Sequence, residues 1–291
     1  MLSWQLHCQM RLSALSRQPS RKLLLSLLKP LVTTIAILLC LRLLLDEPSP
    51  PAHTKALVIA STAATEGDAA WLADVPLDWR IHVYSADRPL SPALTVPENR
   101  GNEAMVYLTY IIDHYHDLPD VVLFHHDHLR SWHQGLSSLT EVSSLRTAYV
   151  VEKGYVSTRC LSNCENVMPV SAAPPVALEQ MPEVRRDGQL GSLLNAFLET
   201  EKHETLPKLI AAPCCAQFAA SREAIRGRSR EWWTELRQWL IDTPLGSSAS
   251  GRLMEWTWHI WLGEGAYSCS HSHSECMCNV FGRQCDAIPA G

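Results

Sequence analysis

A cluster of histidine and aspartate side chains follows directly after the short apolar run Val121–Phe124. Imidazole and carboxylate groups together are typical ligands of transition metals. Because side chains alternate along a strand, His125 and Asp127 would face one way and the neighbouring histidines the other. We predict that Asp127 engages a metal or a diphosphate with a histidine assisting; the alternative is polar capping of a strand end, with the rings bonded to the backbone. The cluster comprises His125, His126, Asp127, His128 and His133.

A second candidate pair, Glu255 and His259, lies in the tryptophan-rich segment Arg252–Leu262. Residues four apart share one face of a helix. Such a pair can act as a general base with its orienting partner, or as a carboxylate and an imidazole on a metal. In the alternative interpretation the tryptophans fill the core and Glu255 pairs with an arginine such as Arg222 or Arg252.

A short turn before a predicted helix has the residue types of an anion-binding site. Gly101 permits a backbone conformation that most residues cannot adopt, and Asn102 is a good helix cap with Glu103 in the first turn. The amides of a helix N-terminus and the charge of Arg100 attract anions. We predict that Asn99, Arg100 and Gly101 bind a cofactor; an ordinary helix start is the alternative.

The cysteines predict disulfides. Cys8 and Cys40 belong to the N-terminal segment, and an even number remains, which in an exported domain indicates disulfides of undetermined connectivity. Adjacent Cys214 and Cys215 are expected to bond distant partners, because a ring that joins neighbours is strained. Zinc is the weaker alternative at the C-terminus, since the Cys276-x-Cys278 spacing is too tight for a typical finger. The eight cysteines are Cys160, Cys164, Cys214, Cys215, Cys269, Cys276, Cys278 and Cys285.

The N-terminus predicts a membrane anchor. Leu23–Leu45 is long enough to cross a bilayer, for which about 20 apolar residues are needed, and its Lys29 and Arg42 can snorkel to the headgroups. The basic tail should stay in the cytoplasm and the rest of the chain should enter the lumen. A cleaved signal peptide or a mitochondrial transit peptide are alternatives, although the leucine-rich run is not amphipathic.

Charge is distributed unevenly along the chain. The first 45 residues hold six of the 25 Lys/Arg and no Asp or Glu, so the remainder holds 19 basic and all 30 acidic residues. An acidic domain repels phosphate backbones, so we expect no nucleic acid partner. The predicted segments are a cytoplasmic tail at 1–22, a transmembrane anchor at 23–45, a proline-rich stem at 46–54 and a single globular α/β domain at 55–291 with a cysteine-rich C-terminal tail.

Strand and helix patterns alternate in the first half of this domain. Apolar runs predict buried strands at Lys55–Ser61, Trp79–Ser85 and Val121–Phe124, and apolar spacing predicts a helix over Asn102–His116. This order implies a parallel sheet, on which ligands bind beyond the carboxyl ends of the strands. We therefore expect one pocket at the strand ends, which are Ser61, Asp87 and Asp127.

The second half of the domain has no such rhythm. We predict a helix followed by a strand over 135–150, a loop over 160–192 and a flexible turn at Gly246–Gly251. Helices are predicted at Ser221–Arg226, Glu231–Ile241 and Arg252–Leu262.

Several short phrases are specific when they are taken together. They are Asn99–Ala104 (NRGNEA), Tyr107-Leu108, Leu118-Pro119-Asp120, Trp132-His133, Pro213–Phe218 (PCCAQF), Ser221–Ile225 (SREAI) and Met254–His259 (MEWTWH). This set resembles the largely fungal family called domain of unknown function 3431, over about residues 55–285. The activity of that family is not established, so the resemblance implies membership and little chemistry.

A second, weaker resemblance is architectural. The order of strand, strand ending in Asp, Asn-x-Gly turn, helix, apolar strand and acidic tip is similar to nucleotide-sugar glycosyltransferases of the GT-A type. In those enzymes an Asp-x-Asp tip holds a divalent cation on the donor diphosphate. Only Asp127 carries over, because the partner carboxylate is absent, and this puts dependence on Mg²⁺ or Mn²⁺ in doubt.

The GT-A resemblance implies a fold and a set of roles. The fold would be α/β, with a central, mostly parallel sheet, flanking helices and a Rossmann-like N-terminal half, preceded by one transmembrane helix. Asp87 would bind the nucleoside, Glu255 would be the acceptor base, and a late histidine would complete the metal site. The implied metal ligands are Asp127, His125 and His259.

Together these features predict a single-pass type II membrane protein of the secretory pathway, in the Golgi or endoplasmic reticulum, with a lumenal domain. It would transfer a sugar from a nucleotide sugar to an unidentified acceptor. One alternative is a metal-dependent hydrolase or other tailoring enzyme, in which the metal lowers the pKa of bound water. Another is a non-catalytic accessory protein that kept the fold and lost the Asp-x-Asp.

Overall fold

A computed structural model describes Thr34 and residues 52–88, 94–170, 186–198 and 206–287. Among these residues no helix is long and apolar enough to cross a membrane. The predicted tail and anchor lie outside the described residues except for Thr34, so both stay predictions. The fold described below belongs to the compact unit His53–Gly291.

The first half folds as its pattern predicts. Strands β1 (Lys55–Ser61) and β2 (Trp79–Ser85) have the predicted bounds, and β3 (Val121–His126) is two residues longer than predicted. The helix α1 (Ala104–Asp113) is shorter than expected at both ends. A 3-10 helix, Glu66–Asp74, connects β1 to β2.

The second half contains more structure than its sequence pattern indicates. The predicted loop at 160–192 includes a strand and the start of a helix, and the predicted flexible turn at Gly246–Gly251 is the first turns of a helix. The predicted strand near residue 150 is a helix. The elements are α2 (Ser138–Ser144), α3 (Thr147–Lys153), β4 (Tyr155–Ser157), β5 (Asn166–Pro169), α4 (Arg186–Phe197), β6 (Leu209–Ala212), β7 (Phe218–Ser221), α5 (Arg222–Arg226), α6 (Arg230–Asp242), α7 (Ser247–Trp261), α8 (His273–Phe281) and a 3-10 turn (Cys285–Ala287).

The central sheet is mixed, which corrects the prediction of a mostly parallel one. Its order is β2-β1-β3-β7-β4, with a separate β5-β6 pair. β1 pairs in parallel with β2 and β3, whereas β7 runs antiparallel to both β3 and β4. The first residue of β7, Phe218, pairs with Phe124 near the carboxyl end of β3. Because β7 begins at that end of β3, it runs in the opposite direction.

Apolar side chains pack on both faces of the sheet. Alternate residues of β1 point to opposite cores, with Ala56 and Val58 in one and Leu57 and Ile59 in the other. The first core contains α1, α4, α6 and α7, and the second contains the 3-10 helix, α2, α3 and α8. Every residue of α1 from Ala104 to Ile112 is buried, so this helix lies between the sheet and other helices.

The turn before α1 is held by α6 and α7. Gly101 has a φ of +67°, and a Cβ placed on it would lie 2.6 Å from a methyl carbon of Leu240 in α6. The backbone N–H of Gly101 donates to the Ser247 hydroxyl at the start of α7 (2.9 Å). On α7, a Cβ placed on Gly251 would lie 2.6 Å from the side chain of Asn102. The backbone of α7 at Gly251 is therefore in close contact with the Asn102 side chain.

We expect Gly101→Ala to lower the free energy of unfolding by about 1–3 kcal/mol, because the methyl group meets Leu240 and the left-handed backbone disfavours a Cβ. Chemical denaturation measures the change. Gly265→Ala is the control, since Gly265 is exposed and a Cβ placed on it would have nothing within 4 Å. Equal stability of the two variants would contradict the packing described for this turn.

Candidate functional site

A cavity of about 300 Å³ lies at the carboxyl ends of β1, β2 and β3. Ligands on open α/β sheets bind in this position. Three parts of the chain supply polar lining: the end of β1, the turn into α1 and the end of β3. The polar lining residues are Ser61, Thr62, Thr65, Asn99, Asn102, Glu103, His126, Asp127 and His128.

Three histidines at this cavity form a cluster that can hold a metal ion. One ligand atom from each of His126, His128 and His133 lies within 4.8 Å of the others. Their ring centroids are 5.1–5.6 Å apart. We call this set the histidine cluster.

The polar atoms around the histidine cluster lack partners. The Nε2 atoms of His126 and His128 and Oδ2 of Asp127 are buried, and none of them has a hydrogen-bond partner among the described residues. Buried polar atoms normally find a partner, so the unpartnered imidazole nitrogens of His126 and His128 fit a metal ion bound by the histidine cluster. Burial lowers the pKa of His133 to about 4 and holds the pKa of His126 well below its usual value, which keeps both rings in the neutral form that ligates metals.

The structure assembles a different set of ligand atoms from the predicted one. His125 faces away from the cavity: its Nδ1 lies 2.7 Å from the His126 carbonyl, and its Nε2 lies 3.0 Å from Glu141 and 2.6 Å from the Gln217 amide. Strand alternation explains this, because it places His126 and His128 on the same side. His259 is also outside the cluster, with its Nε2 3.4 Å from the Ala266 carbonyl.

Asp127 lies at the cavity as predicted, and its backbone is fixed. The indole N–H of Trp71 donates to the Asp127 carbonyl at 2.6 Å. The turn that follows β3 is therefore anchored to the 3-10 helix between β1 and β2. Asp127 lines the cavity, and Oδ2 of its carboxylate is buried without a hydrogen-bond partner among the described residues.

Glu103 is a candidate residue that the sequence interpretation treated only as part of a helix start. Its carboxylate is 15% exposed and lies 4.0 Å from Nε2 of His126. Burial, with a smaller contribution from the negative charge of Glu255, raises the pKa of Glu103 to about 7. A carboxyl that titrates near neutral pH suits general acid–base catalysis. The sequence signal that could have identified Glu103 as a site residue is its position at the N-terminus of α1, after the Asn-x-Gly turn.

Tyr107 lies one turn further along α1. Its hydroxyl is buried and unpartnered among the described residues. Burial raises the pKa of Tyr107, and the charges of Glu103 and Asp127 add to the effect. The phenol therefore stays protonated and offers a hydrogen-bond donor on this side of the site.

The predicted anion-binding turn contributes its asparagines to the cavity, and its arginine binds protein instead. Arg100 donates to the backbone carbonyls of Thr243 and Leu245, the latter at 2.7 Å. Asn99 and Asn102 line the cavity. Asn102 does not cap α1: the N-cap is Glu103, without a side-chain cap hydrogen bond.

Asp87, at the end of β2, lies at the margin of this region. Its carboxylate accepts from the backbone N–H of Ala63 (2.8 Å) and from the Ser85 hydroxyl (3.2 Å). The hydrogen bond from Ala63 is the main reason that the pKa of Asp87 is lowered. Its neighbour Ala86 lines the cavity together with Ser61 and Asp127.

Glu255 is held by three donors. The guanidinium of Arg252 lies 2.7 Å away, the Asn166 amide 3.0 Å and the backbone N–H of Cys215 2.9 Å. The ion pair with Arg252 agrees with the alternative interpretation of the sequence, in which Glu255 pairs with Arg222 or Arg252. The Glu255 side chain is only 9% exposed, and these donors satisfy its buried carboxylate.

The eight cysteines form four disulfides, which confirms the prediction of disulfide pairing. Cys214 and Cys215 bond each other, and the expectation that each would bond a distant partner was wrong. The positive φ angles of Cys215 (82°) and Ala216 (45°) form a turn that accommodates the bond between neighbours. The other pairs are Cys160–Cys276, Cys164–Cys269 and Cys278–Cys285.

We expect Glu255→Gln to lower the free energy of unfolding by about 1–3 kcal/mol. Glutamine can still accept from Asn166 and Cys215, but it loses the ion pair with Arg252, whose own side chain is 43% exposed. Urea denaturation measures the loss, and Glu235→Gln at an exposed position of α6 is the control. A variant as stable as the control would show that the three donors do not stabilise the fold.

His259 should make stability depend on pH. Burial lowers its pKa from 6.5 to about 4, so folding favours the neutral ring. This stability is fully present above pH 6.5 and decreases as the pH falls towards 4, by about 2 kcal/mol at pH 5. His259→Gln should therefore lose less stability than the wild type between pH 7 and 5, whereas His271→Gln, at an exposed position, should not differ from the wild type. Identical pH profiles of the wild type and His259→Gln would contradict the burial of a neutral His259.

Comparison with known proteins gives a family. No curated protein and no solved structure is significantly similar to the chain. One family model, described as "Protein of unknown function (DUF3431)", matches residues 57–279, which include the cavity and the histidine cluster. The expectation from the motif phrases is thus confirmed: the chain belongs to the DUF3431 family of proteins of unknown function.

Proposed function

We propose that this protein is a metal-dependent glycosyltransferase that uses a nucleotide-sugar donor. One observation carries the proposal: His126, His128 and Asp127, each with a buried and unpartnered polar atom, line a cavity beyond the carboxyl ends of three strands. A donor with a nucleoside at one end and a diphosphate at the other fits a cavity that runs from the end of β2 to the histidine cluster. The position is the one at which such sheets bind nucleotides.

The residues at the two ends of the cavity have different roles. Thr62 and Asn99 offer hydrogen bonds to the nucleoside, with Asp87 at the margin for the ribose. The histidine cluster holds a divalent metal, which supplies charge to neutralise the diphosphate leaving group. Imidazole ligands favour Mn²⁺ or Zn²⁺ over Mg²⁺, which prefers oxygen.

Transfer also needs a base that accepts the proton of the acceptor hydroxyl. Glu103 fits this role because it lies 4.0 Å from His126 and its pKa is about 7. Glu255, the base implied by the GT-A resemblance, already accepts from Arg252, Asn166 and Cys215. Under this proposal Glu103 takes the proton, and the negative charge of Glu255 adds to the burial that raises the pKa of Glu103.

A metal-dependent hydrolase is the second candidate, and the composition of the histidine cluster favours it. Three imidazoles are the ligand set of several catalytic zinc sites, in which a metal-bound water is the nucleophile. Glu103 would then accept the proton of that water. The two candidates differ in whether a nucleotide binds beside the metal.

The cellular setting belongs to the same proposal. Leu23–Leu45 would anchor the chain in a membrane of the secretory pathway, with the α/β domain in the lumen. Four disulfides support this placement, because such bonds persist in oxidising compartments.

Thermal unfolding of the purified full-length chain tests the function. Nucleotide sugars should raise the melting temperature only when Mn²⁺ or Zn²⁺ is present, since ligand at 100 times its Kd adds about 2.7 kcal/mol of stability. His126→Ala/His128→Ala should abolish the response to metal, and His271→Ala should not.

Two other outcomes would redirect the assignment. A response to metal without any response to nucleotide, together with hydrolysis of activated esters, would favour the hydrolase. No response to any divalent metal would contradict both candidates and favour a non-catalytic role.

A further inference from the structure

The disulfide between Cys214 and Cys215 closes a small ring that includes the peptide bond joining the two residues. Their Cα atoms are 3.7 Å apart. Cys215 and the next residue, Ala216, have left-handed φ angles of 82° and 45°, which residues with a Cβ rarely adopt. The bond restricts the backbone torsions, so it keeps the turn between β6 and β7 in this one conformation. We call residues 214–216 the vicinal turn.

One amide of the vicinal turn donates to the carboxylate of Glu255, whose charge acts on Glu103. The N–H of Cys215 donates to Oε1 of Glu255 at 2.9 Å. Glu255 acts electrostatically on Glu103, which lies 4.0 Å from Nε2 of His126. The conformation of the turn is therefore connected to the His126 side of the histidine cluster.

The second amide of the vicinal turn, that of Cys214, is linked to the His133 side of the histidine cluster. The N–H of Cys214 donates to Oε2 of Glu165 at 3.2 Å, and Glu165 forms an ion pair with Arg159. The Arg159 guanidinium lies 5.9 Å from the centre of the Trp132 ring, and the Trp132 ring lies 5.5 Å from the His133 ring. The two neighbouring amides are thus linked to His126 through Glu255 and to His133 through Glu165.

We propose that the Cys214–Cys215 disulfide is a positioning element for the histidine cluster, and that its reduction weakens metal binding there. In the bonded form the vicinal turn directs its two amides at Glu165 and Glu255. Without the bond, Cys215 and Ala216 are free to leave the left-handed region, and the amides separate from the two carboxylates. This inference depends on the metal site of the proposed function.

The redox step is a thiol–disulfide exchange with a dithiol. A thiolate of the dithiol attacks one sulfur, the bond between Cys214 and Cys215 breaks, and both sulfurs end as thiols. The dithiol supplies two electrons and two protons and becomes a disulfide. An oxidant such as glutathione disulfide reverses the step.

Cobalt binding tests the inference without any assay of activity. Co²⁺ bound by imidazoles has visible absorption, so titration of the oxidised full-length chain gives a Kd. Cys214→Ser/Cys215→Ser should weaken Co²⁺ binding by about tenfold, equivalent to about 1.4 kcal/mol. The matched control is Cys278→Ser/Cys285→Ser, which removes the other short-range disulfide, at the C-terminal end of α8, and should change the Kd by less than about twofold.

Single substitutions and reduction complete the test. Glu165→Gln and Glu255→Gln should each reproduce part of the loss, because each affects one side of the cluster. Treatment of the wild type with dithiothreitol, which is removed before the titration because dithiols bind Co²⁺ themselves, should weaken Co²⁺ binding. Alkylation of a parallel sample maps the opening of the Cys214–Cys215 pair, and reoxidation of the unalkylated protein should restore binding. Should Cys214→Ser/Cys215→Ser not fold, this reduction of the wild type gives the same comparison.

The outcomes separate this inference from the proposed function. Tight Co²⁺ binding by the wild type with an unchanged Kd in Cys214→Ser/Cys215→Ser and in the reduced protein would overturn the positioning role and leave the metal site intact. Equal weakening in the two double variants would overturn it as well, because the effect would be general destabilisation. No Co²⁺ binding by the wild type would overturn the metal site and, with it, this inference.

Discussion

Four aromatic rings in contact hold together the elements that carry the candidate site. Tyr107 of α1 lies 4.9 Å from Phe124 of β3, and Phe124 lies 5.1 Å from Phe218 of β7. Trp258 of α7 completes the group at 5.2 Å from Phe218 and 5.8 Å from Tyr107. Aromatic pairs at such distances add to the large apolar area that each ring buries. The contacts fix two helices against two strands, and these elements end at the cavity.

Each of these elements places a polar group at the site. Glu103 stands at the start of α1, His126 at the end of β3 and the vicinal turn directly before β7, while Glu255 lies one turn before Trp258 on α7. The rigid apolar group behind α1 and β3 holds Glu103 and His126 in place, so these two side chains need no hydrogen bond to each other. This explains how buried imidazole and carboxylate atoms remain unpartnered among the described residues. Their desolvation is a cost that the packing of the core offsets.

The disulfides divide into two kinds by what they connect. Cys160–Cys276 and Cys164–Cys269 link segments 116 and 105 residues apart, so they join the region after β4 to the C-terminal part of the chain. Bonds that close long loops restrict the unfolded chain most. Cys214–Cys215 closes the shortest possible loop and therefore adds little by that route. Its effect is on local conformation, next to Glu165 and Glu255.

The sequence alone determined the elements whose signal is local. Lys55–Ser61 and Trp79–Ser85 are continuous strand patterns and have the bounds that the pattern predicts. The motif phrases were sufficient for the family. The polar run after Val121–Phe124 contains three residues that line the cavity, His126, Asp127 and His128. Disulfide formation followed from the even number of cysteines. These features depend on residue type and short-range spacing, which the chain carries without any tertiary contact.

Tertiary structure decided the features that depend on partners distant in the chain. The sequence left Glu255 open between a general base and an ion pair, and two of its three donors, Asn166 and Cys215, come from distant parts of the chain. β7 could not be identified as antiparallel, because its direction depends on where the preceding turn meets β3. The histidine cluster needed His133, which joins His126 and His128 only through the fold of the loop after β3. Alternation along a strand says which side chains share a face, but only the packed chain shows which of those faces borders a cavity.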